Sequence, residues 1–165
     1  MKVTIRQAVP EDADAIYTMI SELSVYEHAR QDAATSVASI RDALFGPGSN
    51  NDAFICEIDE AIAGYAVTSS SYSTWLDRRG LSMEDMYFTP PYRDRDVGQA
   101  MLHYIAQHAV KCRCSRLEWG TLSWNQTARA FYLSIGALPL DEWVRYRLDG
   151  ATLLRFAESG LLKNA

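Results

Sequence analysis

The chain opens on an alternation. KVTIRQA, Lys2 to Ala8, places its side chains by turns on two sides, and that period of two predicts a first strand. After Pro10 the period changes. Ala15, Ile16, Met19, Ile20 and Leu23 recur at helical spacing, and Glu11, Asp12 and Asp14 stand where the positive end of a helix favours acids. Ser36 to Phe45 fits a second, shorter helix, and GPGSNND, Gly46 to Asp52, reads as a loop. AFICEID and AIAGYAVTSSSY, either side of Asp59-Glu60, predict a strand pair, and Leu81 to Thr89 predicts the next strand.

In the second half, Met101, Tyr104, Ile105 and Ala109 mark one face of a helix that starts at Val97 and reaches about Lys111. Ser115 to Leu122 predicts a fifth strand. Asn125 to Ile135 predicts a helix with Ala128, Phe131, Tyr132 and Ile135 on one side, stopped by Gly136. A last strand around Trp143 to Leu148 and a short terminal helix complete the pattern. With no repeat, linker or low-complexity segment, the reading is a single mixed α/β domain over residues 1–165.

Composition changes this picture little. The 165 residues are 48% hydrophobic and 22% charged, ordinary for one globular domain. No apolar run approaches the roughly 20 residues of a membrane span, and no signal-like block follows Lys2, so the expectation is a cytoplasmic protein without a membrane partner. Sixteen basic against 21 acidic residues give a net charge of −5, which argues against a general nucleic-acid binder and suits a cationic small substrate. Three cysteines and the histidines His28, His103 and His108 show neither a disulfide framework nor metal-ligand spacing, so no metal is expected. His103 and His108 read as surface or packing residues of one helix.

Chemistry gathers at MEDMYFTPPYRDRDVGQAM, Met83 to Met101, a strand whose exit turn feeds a helix. Unpaired backbone N–H groups and the dipole at a helix start make an anion site. Around it the chain resembles the GCN5-related N-acetyltransferase (GNAT) superfamily, and within it the diamine (spermidine/spermine) and thialysine branch. VTIRQAVPEDADAI, GYAVTSSSYSTW, MEDMYFTPPYR, CRCS and SWNQTARAFYLSIGA carry the resemblance, in the family's order and over most of the chain.

The resemblance implies a central mixed, twisted sheet with helices on both faces. It implies acetyl-CoA between two splayed parallel strands, here Leu81–Thr89 and Ser115–Leu122, and a homodimer. Backbone groups of Met86 and Phe88 would meet the acetyl carbonyl and the pantetheine arm. The pyrophosphate loop would be Arg93, Asp94, Arg95, Asp96, Val97, Gly98 and Gln99. Here the chain departs from the pattern Arg/Gln-x-x-Gly-x-Gly/Ala. Counted without gaps, Asp96 takes the first glycine's place and Gly98 the second's, while Asp94 replaces another frequent glycine. A frame shifted by two residues, Arg95-x-x-Gly98-x-Ala100, restores the pattern. In the gapless frame Asp has to tolerate a left-handed turn, and its charge opposes the phosphates unless Arg93 and Arg95 offset it.

An alkylammonium has to lose a proton before it attacks a thioester, at a cost of about 4.6 kcal/mol at neutral pH. The resemblance gives that task to Glu84, directly or through water, and gives Tyr132 the protonation of the departing thiolate. Asn125, two helical turns before Tyr132, would face the same coenzyme cleft. Tyr26, Glu27, Trp75, Asp85 and Trp124 match positions that line the amine pocket, where aromatic faces and a carboxylate suit a cation. Strand alternation sends Glu84 and Asp85 to opposite faces unless a bulge intervenes. Ser73 stands where polyamine enzymes tend to carry an acid, which favours a short amino-acid-like amine. The implied function is acetyl transfer from acetyl-CoA to a primary amine of a diamine, polyamine or lysine-like molecule. The alternatives are an acetyltransferase for an aminoglycoside or a protein amine, and a non-catalytic binding protein with a degraded coenzyme loop.

Overall fold

The structure is a computed structural model and describes residues 1–27, 35–93 and 96–160. The chain divides into two units, Met1–Gly120 and Thr121–Ala165. The first holds strand β1 (Val3–Gln7), helices α1 (Ala13–Tyr26) and α2 (Val37–Phe45), strands β2 (Asn51–Ile58), β3 (Ala61–Ser73) and β4 (Arg78–Phe88), helix α3 (Val97–Lys111) and strand β5 (Arg116–Trp119). The second holds helices α4 (Gln126–Ser134) and α5 (Gly150–Ala157).

Local chemistry starts and stops these elements. The Asp12 carboxylate accepts from Arg6 Nη1 at 2.7 Å, Arg6 Nη2 at 3.0 Å and the Val9 N–H at 2.8 Å, which fixes the angle at which α1 leaves β1. The Arg6 guanidinium holds Asp12 below the usual carboxylate range. Ser36 caps α2 in a reciprocal box with Ser39. Asp59 and Glu60, at φ of 49° and 70°, form the two-residue turn between β2 and β3, a left-handed pair that matches the twist of a hairpin.

The five strands lie in chain order, antiparallel except for the parallel pair β4 and β5, so the sheet is mixed. On one face α1 and α2 cover Ala53, Ile55, Tyr65 and Tyr87. On the other, α3 lays Tyr104 and His108 against the Phe54 ring, with centroids 5.9 and 5.1 Å apart. Gly64 is required by close approach: a Cβ there would stand 2.3 Å from Phe88 Cδ1 and 2.6 Å from the Tyr87 carbonyl oxygen.

Three sequence expectations change. Strand β2 begins inside the expected loop, and β5 is only four residues long, ending at Trp119 instead of Leu122. The segment from Trp143 to Leu148 forms no strand among the described residues. Its alternation shows which side chains would share a face, but a strand also needs a ladder partner, and no pattern within the segment supplies one.

Candidate active site

Between β3 and β4 the register slips. Val67 pairs with Asp85 and Thr68 with Met83, so Glu84 is an extra residue in the ladder, a bulge. Tyr65, Val67 and Ser69 alternate onto the face that α1 and α2 cover. The Tyr65 hydroxyl points at Asp85 Oδ2, 3.5 Å away, and the Ser69 hydroxyl donates to Glu84 Oε1 at 2.7 Å. Glu84 and Asp85 therefore share a face, which corrects the expectation from plain alternation. The bulge turns two neighbours in sequence into two neighbours in space.

The acids press on one another. Burial, and then the charge of Glu84, raise the Asp85 carboxyl above its ordinary range, against the hydrogen bond from Tyr65. Glu27, just past the end of α1, is raised by burial and by Asp85. Burial and Asp85 also push the Tyr65 phenol well up, so Tyr65 stays a neutral donor. Three of the expected residues, Glu27, Glu84 and Asp85, are thus brought together as a cluster of negative charge that makes no ion pair among the described residues.

The strands part at the same place. β5 pairs with β4 only from Gly80↔Arg116 to Met83↔Trp119, so from Glu84 to Phe88 this edge of β4 has no ladder partner among the described residues. Met86 and Phe88 lie on that stretch, and an unpaired strand edge suits a linear amide-bearing arm. Phe88 carries the sheet toward the next helix, since its Cε2 lies 3.8 Å from where a Cβ on Gly98 would be.

Helix α3 begins at Val97, with Asp96 as its exposed N-cap. The Asp96 side chain makes no capping bond, so it leaves the first N–H groups, those of Val97, Gly98 and Gln99, to other acceptors. Its backbone, at φ of −67°, is not left-handed, so the first-glycine position of the gapless frame needs no glycine for conformation. Asp94 and Arg95 lie outside the described residues.

Arg93, expected on the pyrophosphate loop, makes its contacts within the chain. Its Nε donates to the Phe88 carbonyl at 3.2 Å and its Nη2 to the Tyr87 hydroxyl at 2.9 Å. Its guanidinium lies 4.3 Å over the Tyr26 ring and 5.1 Å from the Tyr87 ring. Tyr87 in turn donates to Glu22 Oε2 at 2.8 Å. Arg93 thus binds the start of the loop to the end of α1, and one face of Tyr26 holds a cation from the chain itself.

Trp75 stands on the turn between β3 and β4, exposed and outside the acid cluster. Trp124, Asn125 and Tyr132 belong to the second unit. There Asn125 is the N-cap of α4, its Oδ1 accepting from the Ala128 N–H at 3.2 Å, and Tyr132 lies in the helix with its ring 5.8 Å from that of Phe131. His108, read as a packing residue, does pack on Phe54 and also meets Asp52 at 3.1 Å.

Residues 14–137 match the Acetyltransferase (GNAT) family, about three quarters of the chain. The chain belongs to the GNAT acetyltransferase family. It is 31% identical to a thialysine N-epsilon-acetyltransferase of Bos taurus over 166 residues, covering 94% of this chain and 97% of the relative. An L-ornithine N5-acetyltransferase of Arabidopsis thaliana is 35% identical over 95 residues, 58% of this chain and 42% of that one. The structure of an integron cassette protein from the mobile metagenome of V. cholerae superposes with a TM-score of 0.78 at 24% identity, covering 96% and 99% of the two chains. A crystal structure of an aminoglycoside acetyltransferase in complex with sisomicin gives 0.75 at 10% identity, covering 89% and 95%. These two structures show the shared fold. As a GNAT acetyltransferase the protein transfers an acetyl group from acetyl-CoA to an amine.

Sequence reading missed several contacts of this acetyltransferase. Tyr65 and Tyr87 alternate with core residues and read as core, Ser69 sits in a run of serines, and Glu22 reads as the polar face of α1. The pairing of β3 with β4 sets Tyr65 beside Asp85, and the slip in that pairing aims Ser69 at Glu84.

Proposed function

We propose that the enzyme acetylates the terminal primary amine of a lysine-like amino acid or a short diamine, by direct attack of that amine on the thioester. The observation that carries this reading is the crowding of Glu27, Glu84 and Asp85. Two of these carboxyls are raised by burial and by the charge of a neighbouring acid, so an entering ammonium relieves repulsion that the fold by itself sustains. The names of the bovine and Arabidopsis relatives, acetyltransferases for thialysine and ornithine, support an amine of this length.

Acetyl-CoA supplies the activated acetyl group. Met86 and Phe88 would hold its arm along the unpaired β4 edge, and the N–H groups of Val97, Gly98 and Gln99 would hold its pyrophosphate. Glu84, fixed by Ser69, takes the proton that the ammonium gives up, directly or through water. Tyr132 is the proton donor to the leaving sulfur. Trp75, Trp124 and Asn125 keep their assigned places on the amine and coenzyme sides as part of this proposal. A single functional domain is supported by the family match, which runs through the junction of the two units at residue 120. Three free cysteines fit a reducing compartment such as the cytoplasm, and the family resemblance supports a homodimer.

The first experiment is calorimetric titration with acetyl-CoA and with CoA, followed by an amine panel of lysine, thialysine, ornithine, diamines and spermidine. Micromolar acetyl-CoA binding with turnover of short amines supports the reading. Absence of acetyl-CoA binding at millimolar ligand would replace it with a non-catalytic one.

A further inference from the structure

Arg93 is a half-buried cation whose partners among the described residues are all neutral: a carbonyl, a phenol and two aromatic faces. Among the described residues it makes no ion pair, and its Nη1 has no hydrogen-bond partner. The four acids nearby are committed elsewhere. Glu22 takes the Tyr87 hydroxyl, Glu84 takes Ser69, and Asp85 and Glu27 face each other's charge. A guanidinium withdrawn from water favours an anion, and its planar fork fits a carboxylate.

Its place relative to the acids says which anion. Asp85 and Tyr87 are two residues apart on one face of β4, roughly 7 Å along the strand, and Arg93 is bonded to the Tyr87 hydroxyl. The cation and the acid cluster therefore lie on one face of the sheet, reached from strand positions two residues apart. A molecule with an amine at one end and a carboxylate at the other meets opposite charge at both.

We infer that Arg93 is the specificity residue for the α-carboxylate of an amino-acid substrate, selecting an ω-amino acid over the diamine of equal length. This deepens the proposed function and rests on it. The alternative anion, a coenzyme phosphate, makes a different prediction.

The test uses lysine and 1,5-diaminopentane, which present the same reacting end and differ by the carboxylate. The wild-type enzyme is expected to have the higher kcat/KM for lysine. In Arg93→Gln the lysine-to-diamine ratio of kcat/KM falls roughly tenfold or more, the size expected for loss of a charge-assisted hydrogen bond. In Arg93→Lys, which keeps the charge without the fork, it falls less. Three results overturn the inference while leaving the proposed function standing: a wild-type preference for the diamine, equal losses on both amines, or a loss confined to acetyl-CoA affinity measured by calorimetry. Should Arg93→Gln fail to fold, the wild-type preference and Arg93→Lys still decide. Acetylation of neither amine by the wild type overturns the proposed function itself.

Discussion

The Phe88 ring lies over the bare backbone of Gly64, so that a methyl group on Gly64 would meet Phe88 Cδ1 at 2.3 Å and the Tyr87 carbonyl at 2.6 Å. The backbone oxygen cannot swing away as a side chain can. Gly64→Ala is therefore expected to cost about 2–3 kcal/mol by overpacking. Gly98→Ala meets only Phe88 at 3.8 Å, an ordinary contact, and gains helix propensity of up to about 1 kcal/mol. Thermal denaturation of both variants checks the contrast, and equal losses at the two glycines would contradict it.

The Ser69–Glu84 hydrogen bond fixes the carboxylate assigned to proton removal. Glu84→Gln keeps the shape and loses the base, so kcat/KM for the amine should fall roughly 100-fold or more at neutral pH. The loss should narrow as rising pH deprotonates the amine in solution. A pH profile parallel to that of the wild type would remove Glu84 from the role.

If Tyr132 protonates the leaving sulfur, Tyr132→Phe lowers kcat by roughly 10- to 100-fold with little change in acetyl-CoA affinity. An unchanged kcat would show Tyr132 to be a packing residue of α4.

Asp96 is exposed, makes no capping bond and adopts ordinary negative φ. What remains of the objection to an aspartate at this point is its charge. Asp96→Gly is expected to tighten acetyl-CoA binding by roughly two- to tenfold at low ionic strength, and less in high salt as screening removes the repulsion. Calorimetry at two salt concentrations measures it. An affinity that does not rise would set aside the gapless frame with its inward-facing carboxylate.

Asp12 is buried and takes three hydrogen bonds, two of them from Arg6. Asp12→Asn should destabilise the protein by about 2 kcal/mol at neutral pH. Because the folded Asp12 carboxyl lies below its unfolded value, this stabilisation is present above the ordinary carboxylate range. It is lost as the pH falls through the depressed folded value. Denaturant titrations should therefore show wild type and variant converging in acid, and a constant gap would argue against an ionic origin.

The elements were largely legible because each carries its own period or its own punctuation. Pro10, the capping Ser36 and Gly136 at φ of 86° mark ends where the sequence places them, and α3 runs from Val97 to Lys111 as its apolar face predicts. The site was legible in residue type and less so in geometry. Glu84 and Asp85 stand out as adjacent acids, but the slip that turns both to one face depends on a second strand, 16 to 18 residues away in sequence, and no local pattern encodes it. Arg93 has the same lesson from the other side. Its position marks it as a phosphate-loop residue, while its contacts, set by Tyr26 and Tyr87, belong to the end of α1. Trp143 to Leu148 shows the limit for strands, where alternation without a partner gives no ladder.

One extra residue in β4 also sets heat resistance against turnover. Deleting Glu84 would let Asp85 follow Met83 in an unbroken ladder opposite Val67 and Thr68, and would remove one of two carboxylates that repel each other. Both changes favour the folded chain, and together they remove the acid to which proton removal is assigned. Selection for thermal endurance alone would thus be drawn toward a smoother, sturdier and silent sheet.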